Sequence, residues 1–111
     1  MNIRIYSKYE LRAKIMKALA HPTRLFIIEE LDKQEICVQD LTEMIGSDIS
    51  TVSKHLTVLK NAGLVIDRKD KNCVYYSLKT KCVLNFLGCV EDVIQQNASA
   101  DNKYINLWRK K

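Results

Sequence analysis

The cysteines carry the strongest candidate chemistry in this chain. Four of them occur in 111 residues, and two, Cys82 and Cys89, stand seven residues apart in the stretch Lys79–Gln96. Cysteine thiolates bind soft metal and metalloid ions and take part in redox reactions. Cysteine is also among the residue types most often buried as a small hydrophobe. The pair is therefore a candidate for ion binding, for redox chemistry or for plain packing.

The stretch Lys79–Gln96 has the apolar spacing of a long helix, which limits what its two thiols can do together. Residues seven apart in a regular helix point within about 20° of one direction but lie about 10.5 Å apart along the axis. Two thiolates on one zinc ion lie only about 3.8 Å apart, and a disulfide needs Cα atoms within roughly 7 Å. Each thiol therefore needs a partner elsewhere, such as Cys37 or the last helix of a second subunit, unless the helix breaks near Gly88.

Apolar spacing predicts two helices at the start of the chain. The first is Lys8–Ala20, with an apolar stripe of Leu11, Ile15 and Leu19. Pro22 suits the first position of a second helix, because its missing N–H would be unpaired there anyway. That helix ends near residue 33, and we expect His21 to cap or abut it.

The next two predicted helices are close enough to form a helix-turn-helix. The third ends at Gly46, a residue that suits a helix C-terminus. The fourth spans Asp48–Ala62, with Ser47 or Asp48 as its cap and Gly63 after its end. Because the link between the two helices is only about three residues long, the pair has the form of a helix-turn-helix.

A change from helical to alternating spacing predicts a β-hairpin after the fourth helix. Leu64–Arg68 is expected to pair with Cys73–Leu78 across the polar turn Lys69–Asn72, which leaves Cys73 in a strand with no ligand role. The order is then helix-helix-helix-helix-hairpin-helix. The fold class is mainly α with a small β-hairpin, the layout of a winged helix-turn-helix.

The bulk composition fits one small domain with a polyanionic partner. Residues 1–96 form the predicted DNA-binding and dimerisation domain. Residues 97–111 are predicted to be a basic tail that either frays or folds back through Tyr104, Leu107 and Trp108. The net charge is +5, which favours nucleic acid as a partner. No apolar run approaches the roughly 20 residues that span a bilayer, so we expect a cytoplasmic protein with reduced thiols and no membrane contact. Without a phosphate-cradling glycine loop, a CxxC motif or an acid–base constellation, the sequence does not predict an enzyme.

The N-terminal half of the fourth helix holds the side chains best suited to reach DNA. The hydroxyl groups of Ser50, Thr51 and Ser53 can exchange hydrogen bonds with bases or phosphates. Lys54 and His55 suit contacts with the phosphate backbone. A second basic group around the hairpin turn suits phosphate or minor-groove contact. It consists of Arg68, Lys69 and Lys71, with the polar Asn72 beside them.

Three stretches resemble the ArsR/SmtB family of bacterial winged-helix repressors. The opening of the family's second helix is matched by ALAHPTRLFIIEEL, with His21 where an aspartate is more usual. The family's metal-binding box, ELCVCDL, is matched by EICVQDL. Its recognition helix is matched by STVSKHLTVLKNAGLV. Ile49, directly before this stretch, stands where the family often has a glutamine. The resemblance covers about Leu11 to Gln96. It implies a homodimer, paired through its first and last helices, that occupies double-stranded operator DNA without a cofactor and leaves it when an inducer binds.

The same resemblance narrows the choice of inducer. The metal-binding box keeps only Cys37, because Gln39 occupies its second cysteine position, and Val93 stands about where the family's last-helix zinc site has a histidine. Some arsenite-responsive members carry last-helix cysteines with a similar separation. The resemblance therefore favours As(III), or another thiophilic ion, at Cys82 and Cys89 with Cys37 as a third candidate ligand. The alternatives are thiol-redox or persulfide sensing, packing of the cysteines in an interface, and a constitutive DNA-binding protein without a sensor.

Overall fold

The computed structural model describes residues 2–98, which form five helices and a three-stranded sheet. The elements in chain order are α1 (Ile3–Leu19), α2 (Pro22–Lys33), β1 (Ile36–Cys37), α3 (Val38–Ile45), α4 (Ile49–Asn61), β2 (Val65–Asp70), β3 (Cys73–Leu78) and α5 (Val83–Ala98). The elements from α1 to β3 belong to one compact unit and α5 to a second. The predicted fold class is confirmed. The expected fold-back of Tyr104, Leu107 and Trp108 lies outside the described residues.

α1 begins five residues earlier than its apolar stripe predicts. Oδ1 of Asn2 accepts a 2.9 Å hydrogen bond from the N–H of Arg4 and so caps the helix. The predicted start at Lys8 is therefore wrong. At the other end Leu19 is buried, whereas Leu11 is 68% exposed. Only the C-terminal part of the stripe lies in the core of this unit.

α2 has the start that the sequence predicts. Nδ1 of His21 accepts a 3.1 Å hydrogen bond from the N–H of Thr23, and Pro22 occupies the first helical position. The expected cap is confirmed. Ile27, Ile28 and Leu31 then anchor the helix in the core.

The helix-turn-helix is α3 and α4, joined through Gly46 and Asp48. Gly46 adopts a φ of 81°, a conformation open to glycine at little cost, and its N–H donates to the carbonyl of Thr42. Oδ1 of Asp48 accepts a 2.7 Å hydrogen bond from the N–H of Thr51. Gly63 ends α4 at a φ of 81°. These boundaries agree with the prediction because each depends on local residue chemistry.

The sheet differs from the prediction in two ways. Its order is β1-β3-β2, antiparallel throughout, and no sequence pattern marks β1, whose two residues are too few to show alternation. The predicted four-residue turn is also wrong, because Lys69 and Asp70 pair with β3 and leave only Lys71 and Asn72 between the strands. Lys71 takes a positive φ of 57°. Two-residue loops suit hairpins because positive φ angles match the twist of the strands.

The core of the first unit lies between α2, α3, α4 and the sheet. Each large side chain buried there contributes roughly 1.5–3 kcal/mol. The fully buried side chains are Ile27, Ile28, Leu41, Val52, Leu56, Leu59 and Val65. Three of them lie on α4, so the core fixes the rotation of α4 about its own axis and thereby determines which face it presents outward.

α5 starts later than predicted and is continuous. The N–H groups of Leu84 and Asn85 donate to the carbonyls of Lys81 and Cys82, each at 3.1 Å, in a tight turn that leads into the helix. Cys82 therefore precedes α5, and the prediction that it lies within the helix is wrong. Gly88 lies inside α5 without interrupting it, so the helix does not break there. No helix within residues 2–98 is long and apolar enough to cross a membrane.

Candidate nucleic-acid interface and cysteine positions

The N-terminal half of α4 faces outward because the opposite face is held in the core. Val52, Leu56 and Leu59 are fully buried, so the positions between them project from the body. Four of the residues predicted to reach DNA are exposed or half-buried here: Ser50, Thr51, Ser53 and Lys54. Hydroxyl and ammonium groups on the projecting start of a helix are suited to enter a major groove.

Asp48 organises the first turn of α4. Its Oδ1 accepts the hydrogen bond from the N–H of Thr51 that caps the helix. The same oxygen accepts a 3.0 Å hydrogen bond from the Oγ hydroxyl of Ser50. These hydrogen bonds lower the pKa of Asp48. Those from Thr51 have the larger effect, and the one from Ser50 adds to it. Because the Ser50 hydroxyl donates to Asp48, it offers lone pairs outward and so suits an amino group of adenine or cytosine.

Ile49 adds an apolar contact to the same helix start. It is the first residue of α4 and is 48% exposed. An exposed aliphatic side chain beside Ser50 cannot hydrogen-bond a base, but it suits the methyl group of thymine.

The hairpin tip carries two lysines that form no ion pair with the described part of the chain. We call β2, the turn and β3, residues 65–78, the wing. Lys69 and Lys71 are exposed, and neither belongs to an ion pair formed among residues 2–98. Asn72 is exposed beside them. These side chains are available to a phosphate backbone, as the sequence predicts.

Arg68 differs from the lysines because its guanidinium already has partners within the chain. Its Nε and Nη2 donate to the two carboxylate oxygens of Glu35 at 2.8 and 2.7 Å. Its Cζ lies 4.7 Å from the ring centroid of Tyr75. The hydrogen bonds from Arg68 lower the pKa of Glu35. Arg68 thus ties the wing to the segment before β1, a role that its position in a basic cluster does not predict.

His55 also has partners within the chain. It is half-buried, its ring centroid lies 4.4 Å from that of His21, and its Nδ1 lies 3.1 Å from Nη1 of Arg24. His55 does not project freely, because Arg24 and His21 contact its ring, and its contact with a DNA phosphate stays a prediction. The partner Arg24 lies in the HPTR segment, but no local pattern marks it as a partner of α4.

The four cysteines are free thiols in different environments. Cys37 is buried in β1 opposite Tyr75, and Cys73 is half-buried in β3, as predicted for a strand residue. Cys82 and Cys89 are exposed. Within residues 2–98, no three His, Cys, Asp or Glu side chains are grouped to hold a metal ion. Cys37 belongs to the first unit and Cys82 and Cys89 to the second, and the three-thiolate set stays a prediction.

Two helices expose apolar side chains that their own units leave uncovered. Those of α1 are Ile3, Ile5, Tyr6, Tyr9, Leu11 and Met16. Those of α5 are Phe86, Val90 and Val93. α1 also borders a groove of about 910 Å³ at the C-terminal end of α4. Apolar surface of this extent on two helices is typical of a protein interface.

Comparison with known proteins identifies the family. Residues 21–67 match the model of the bacterial regulatory proteins of the arsR family. The nodulation protein NolR of Rhizobium meliloti is 35% identical over 91 residues, which are 82% of this chain and 75% of NolR. The chain belongs to the ArsR family. The resemblance seen in its motifs is thereby confirmed, and this ArsR-family protein is a transcriptional regulator.

Two further relatives bear on its partners. The solution structure of Mb0332 from Mycobacterium bovis, described as a homodimeric winged helix-turn-helix DNA-binding domain, has a TM-score of 0.76 and 27% identity, covering 90% of this chain and 93% of Mb0332. A homolog of the cadmium resistance regulatory protein CadC from Staphylococcus aureus is 45% identical over 67 residues, or 60% of this chain and 55% of that protein.

Proposed function

We propose that this ArsR-family regulator is a homodimeric repressor that binds operator DNA through α4 and the tip of the wing. The observation that carries the proposal is the outward face of α4. Three buried side chains fix the helix rotation, while Ser50, Thr51 and Lys54 project together. The exposed lysines at the tip of the wing and the net charge of +5 add attraction to phosphates. The DNA-binding domain of Mb0332 has the same fold.

The homodimer is proposed to pair through α1 and α5. Mb0332 is homodimeric, and in this chain both helices carry exposed apolar side chains. Leu11, 68% exposed at the middle of α1, has the character of an interface residue. We expect Leu11→Glu to convert the dimer into a monomer, because a buried unpaired charge is costly. Sedimentation velocity measures this, and Lys8→Glu, an exposed position on the same helix, is the matched control. A Leu11→Glu protein that sediments like the wild type would place the interface elsewhere.

The proposed inducer is a thiophilic metalloid or metal ion, As(III) first, bound by thiolates of Cys82 and Cys89. Both thiols are exposed, and soft ions prefer sulfur ligands. Cys82 lies one residue before α5, so the separation along the helix axis is still about 10 Å. One ion therefore cannot bridge the two thiols of a single chain, and we propose that each ion is held by thiols of two subunits. The CadC homolog, a cadmium resistance regulator, is a metal-linked relative.

DNA binding is tested by selection from random sequence. The purified protein is incubated with a pool of random duplexes, the bound fraction is sequenced over several rounds, and affinity for the enriched duplex is measured. We expect a palindromic site, because a two-fold dimer reads two half-sites. Lys54→Ala should weaken binding to enriched and unrelated duplexes alike. A pool that never enriches would contradict the proposal.

The inducer is tested by anaerobic titration of the reduced protein with arsenite, followed by near-ultraviolet absorbance of arsenic–thiolate bonds. Cys82→Ser and Cys89→Ser are compared with Cys73→Ser, a control at a strand position. We expect saturation that either of the first two substitutions abolishes and the third preserves. A second titration, with the enriched duplex bound, should show DNA release. Absence of both signals would overturn the metalloid sensor and direct the next titrations to peroxide and persulfide donors.

A further inference from the structure

Three helices meet at the guanidinium of Arg24. Its Nε donates a 2.6 Å hydrogen bond to the carbonyl of Ala18, and its Nη2 a 3.3 Å hydrogen bond to the carbonyl of Lys17, both in the last turn of α1. Its Nη1 lies 3.1 Å from Nδ1 of His55 on α4. Arg24 itself belongs to α2. Its side chain therefore joins the end of α1 and the start of α2 to the helix that is proposed to enter DNA.

The contact with Arg24 requires a neutral His55. An arginine side chain has donors and no acceptor, so Nδ1 of His55 must accept this hydrogen bond. A protonated imidazole carries hydrogen on both nitrogens and cannot accept one. Adding a proton to Nδ1 of His55 thus removes the hydrogen bond and leaves two cations facing each other.

Among residues 2–98, the charged groups that act on His55 are basic, and none is an acid that would stabilise its protonated form. The pKa of His55 is lowered mainly by burial of its ring, and the nearby His21 and Arg24 lower it further. Within residues 2–98, these two basic groups are the titratable side chains that act on it. From α1 the junction receives the carbonyls of Lys17 and Ala18, which Arg24 already holds. The environment from every helix that meets there disfavours a second positive charge.

His21 is tied to its own helix in the same way. Its Nδ1 accepts from the N–H of Thr23 and so caps α2. Its ring centroid is 4.4 Å from that of His55, with the planes tilted by 48°. Both imidazoles therefore act as acceptors through Nδ1, and both hydrogen bonds require that nitrogen to be unprotonated.

We propose that the Arg24–His55 junction is a proton-sensitive switch. Acidification transfers a proton to Nδ1 of His55, breaks its hydrogen bond with Arg24, and shifts α4 away from the arrangement that binds DNA. The effect of this switch on DNA affinity rests on the proposed function. The junction itself is tested without DNA, so that the two can fail separately.

The sign of the pH effect separates this proposal from a simple phosphate contact. If a protonated His55 reached a DNA phosphate, acidification would add an attractive charge and strengthen binding. If His55 must be neutral to hold Arg24, acidification weakens binding. Histidine is the side chain whose ordinary pKa lies between about pH 5 and pH 8, and the chain has only two histidines, both at this junction.

The junction is tested first in the protein alone. The imidazole resonances of the wild type, His55→Gln and His21→Asp are followed by NMR from about pH 8 to about pH 5, together with unfolding by urea. We expect His55 to titrate below its ordinary range and the wild type to lose stability as pH falls below about 6.5, because the unfolded chain then binds the proton more readily. The His55→Gln protein should lose less stability than the wild type over the same pH range. His21→Asp, which places a carboxylate beside His55, should raise its pKa.

The second test measures affinity for the enriched duplex at constant ionic strength, at about pH 7.5 and about pH 5.5. We expect the wild type to bind at least about threefold more weakly at the lower pH, with an upper bound of tenfold per pH unit for each proton taken up. Binding by His55→Gln should not change between the two. The inference is overturned if wild-type binding strengthens on acidification, if His55→Gln shows the same pH dependence, or if His55 titrates at its ordinary value. If no duplex is bound at either pH, the proposed function fails, while NMR and unfolding still decide the junction.

Discussion

The basic side chains near the proposed DNA surface form two groups that the structure treats differently. Arg24 and Arg68 are engaged inside the chain, one with backbone carbonyls and His55, the other with Glu35 and Tyr75. Lys54, Lys69 and Lys71 are exposed and belong to no ion pair within residues 2–98.

The difference follows from the chemistry of the two side chains. A guanidinium has five donors in a planar fork, so it can satisfy two or three acceptors at fixed angles. An ammonium group is a flexible point charge that serves a phosphate backbone equally well in many geometries. In this protein Arg24 and Arg68 hold α4 and the wing in place, and Lys54, Lys69 and Lys71 are available for the proposed contact with DNA. Lys60 of α4 is an exception among the lysines, because it donates a 3.0 Å hydrogen bond to Asp67 of the wing. A count of positive charges along the sequence does not separate these roles.

The largest effect that tests this division is expected from Arg24→Ala. The substitution leaves the carbonyls of Lys17 and Ala18 and the imidazole of His55 without their donor, and one hydrogen bond to a charged group contributes about 1.5–3 kcal/mol. Because Arg24 is only half-buried, water replaces part of what the three acceptors lose. We expect a loss of about 2 kcal/mol, which in a domain of this size lowers the Tm by roughly 10 °C. Calorimetry at one fixed protein concentration measures the change, since dimerisation makes the Tm concentration-dependent.

Arg24→Lys is the matched control for that experiment. Lysine keeps the positive charge but lacks the planar set of guanidinium donors, so this variant should recover only a small part of the stability that Arg24→Ala loses. If Arg24→Lys were as stable as the wild type, the charge of Arg24 rather than its geometry would be what matters, and the contrast with the lysines would weaken.

A smaller effect is expected from the lysines, and it appears in DNA affinity rather than in stability. Each phosphate contact contributes about 0.9 to the slope of log affinity against log salt concentration. Lys54→Ala, Lys69→Ala and Lys71→Ala should each reduce this slope by about that amount per subunit, without changing the preferred sequence. Fluorescence anisotropy over a series of salt concentrations measures the slope. A lysine substitution that leaves the slope unchanged would remove that residue from the interface.

Local chemistry explains why so much of the fold is predictable from sequence. The ends of α2, α3 and α4 depend on Pro22, Gly46, Asp48 and Gly63, and each of these residues acts on backbone within a few positions of itself. The buried stripe of α4 follows from helical spacing alone. The Asn2 cap is equally local, but without an apolar periodicity behind it the early start of α1 does not show in the sequence.

The missed features depend on residues far apart in the chain. β1 exists because Ile36 pairs with Tyr76. His55 is turned inward by Arg24, 31 positions away, and Arg68 is held by Glu35, 33 positions away. Helical spacing or a basic cluster gives no information on such partners. The sequence therefore predicts the elements of the proposed DNA surface better than it predicts which of their charged side chains have partners within the chain.

The role of Arg68 can be tested by whether Glu35→Gln weakens or strengthens DNA binding. If Arg68 positions the wing, Arg68→Ala and Glu35→Gln both release it, and both should weaken DNA binding modestly. If Arg68 instead contacts a phosphate, Glu35→Gln frees its charge and should strengthen binding while Arg68→Ala weakens it. Anisotropy with the enriched duplex distinguishes the two. Because the pair is partly exposed, neither substitution is expected to change the Tm appreciably.

The smallest expected effect is the pH dependence of this same pair. The hydrogen bonds from Arg68 lower the pKa of Glu35, so the pair favours the folded state above the ordinary pKa of a glutamate, and that contribution is lost as pH falls through the lowered value. At neutral pH the wild type should be slightly more stable than Glu35→Gln, and the difference should vanish in strong acid. Urea unfolding at a series of pH values measures it. A difference that persists below about pH 3 would mean that the Glu35 side chain stabilises the segment before β1 by packing, and that the charge of Arg68 is less engaged than its distances indicate.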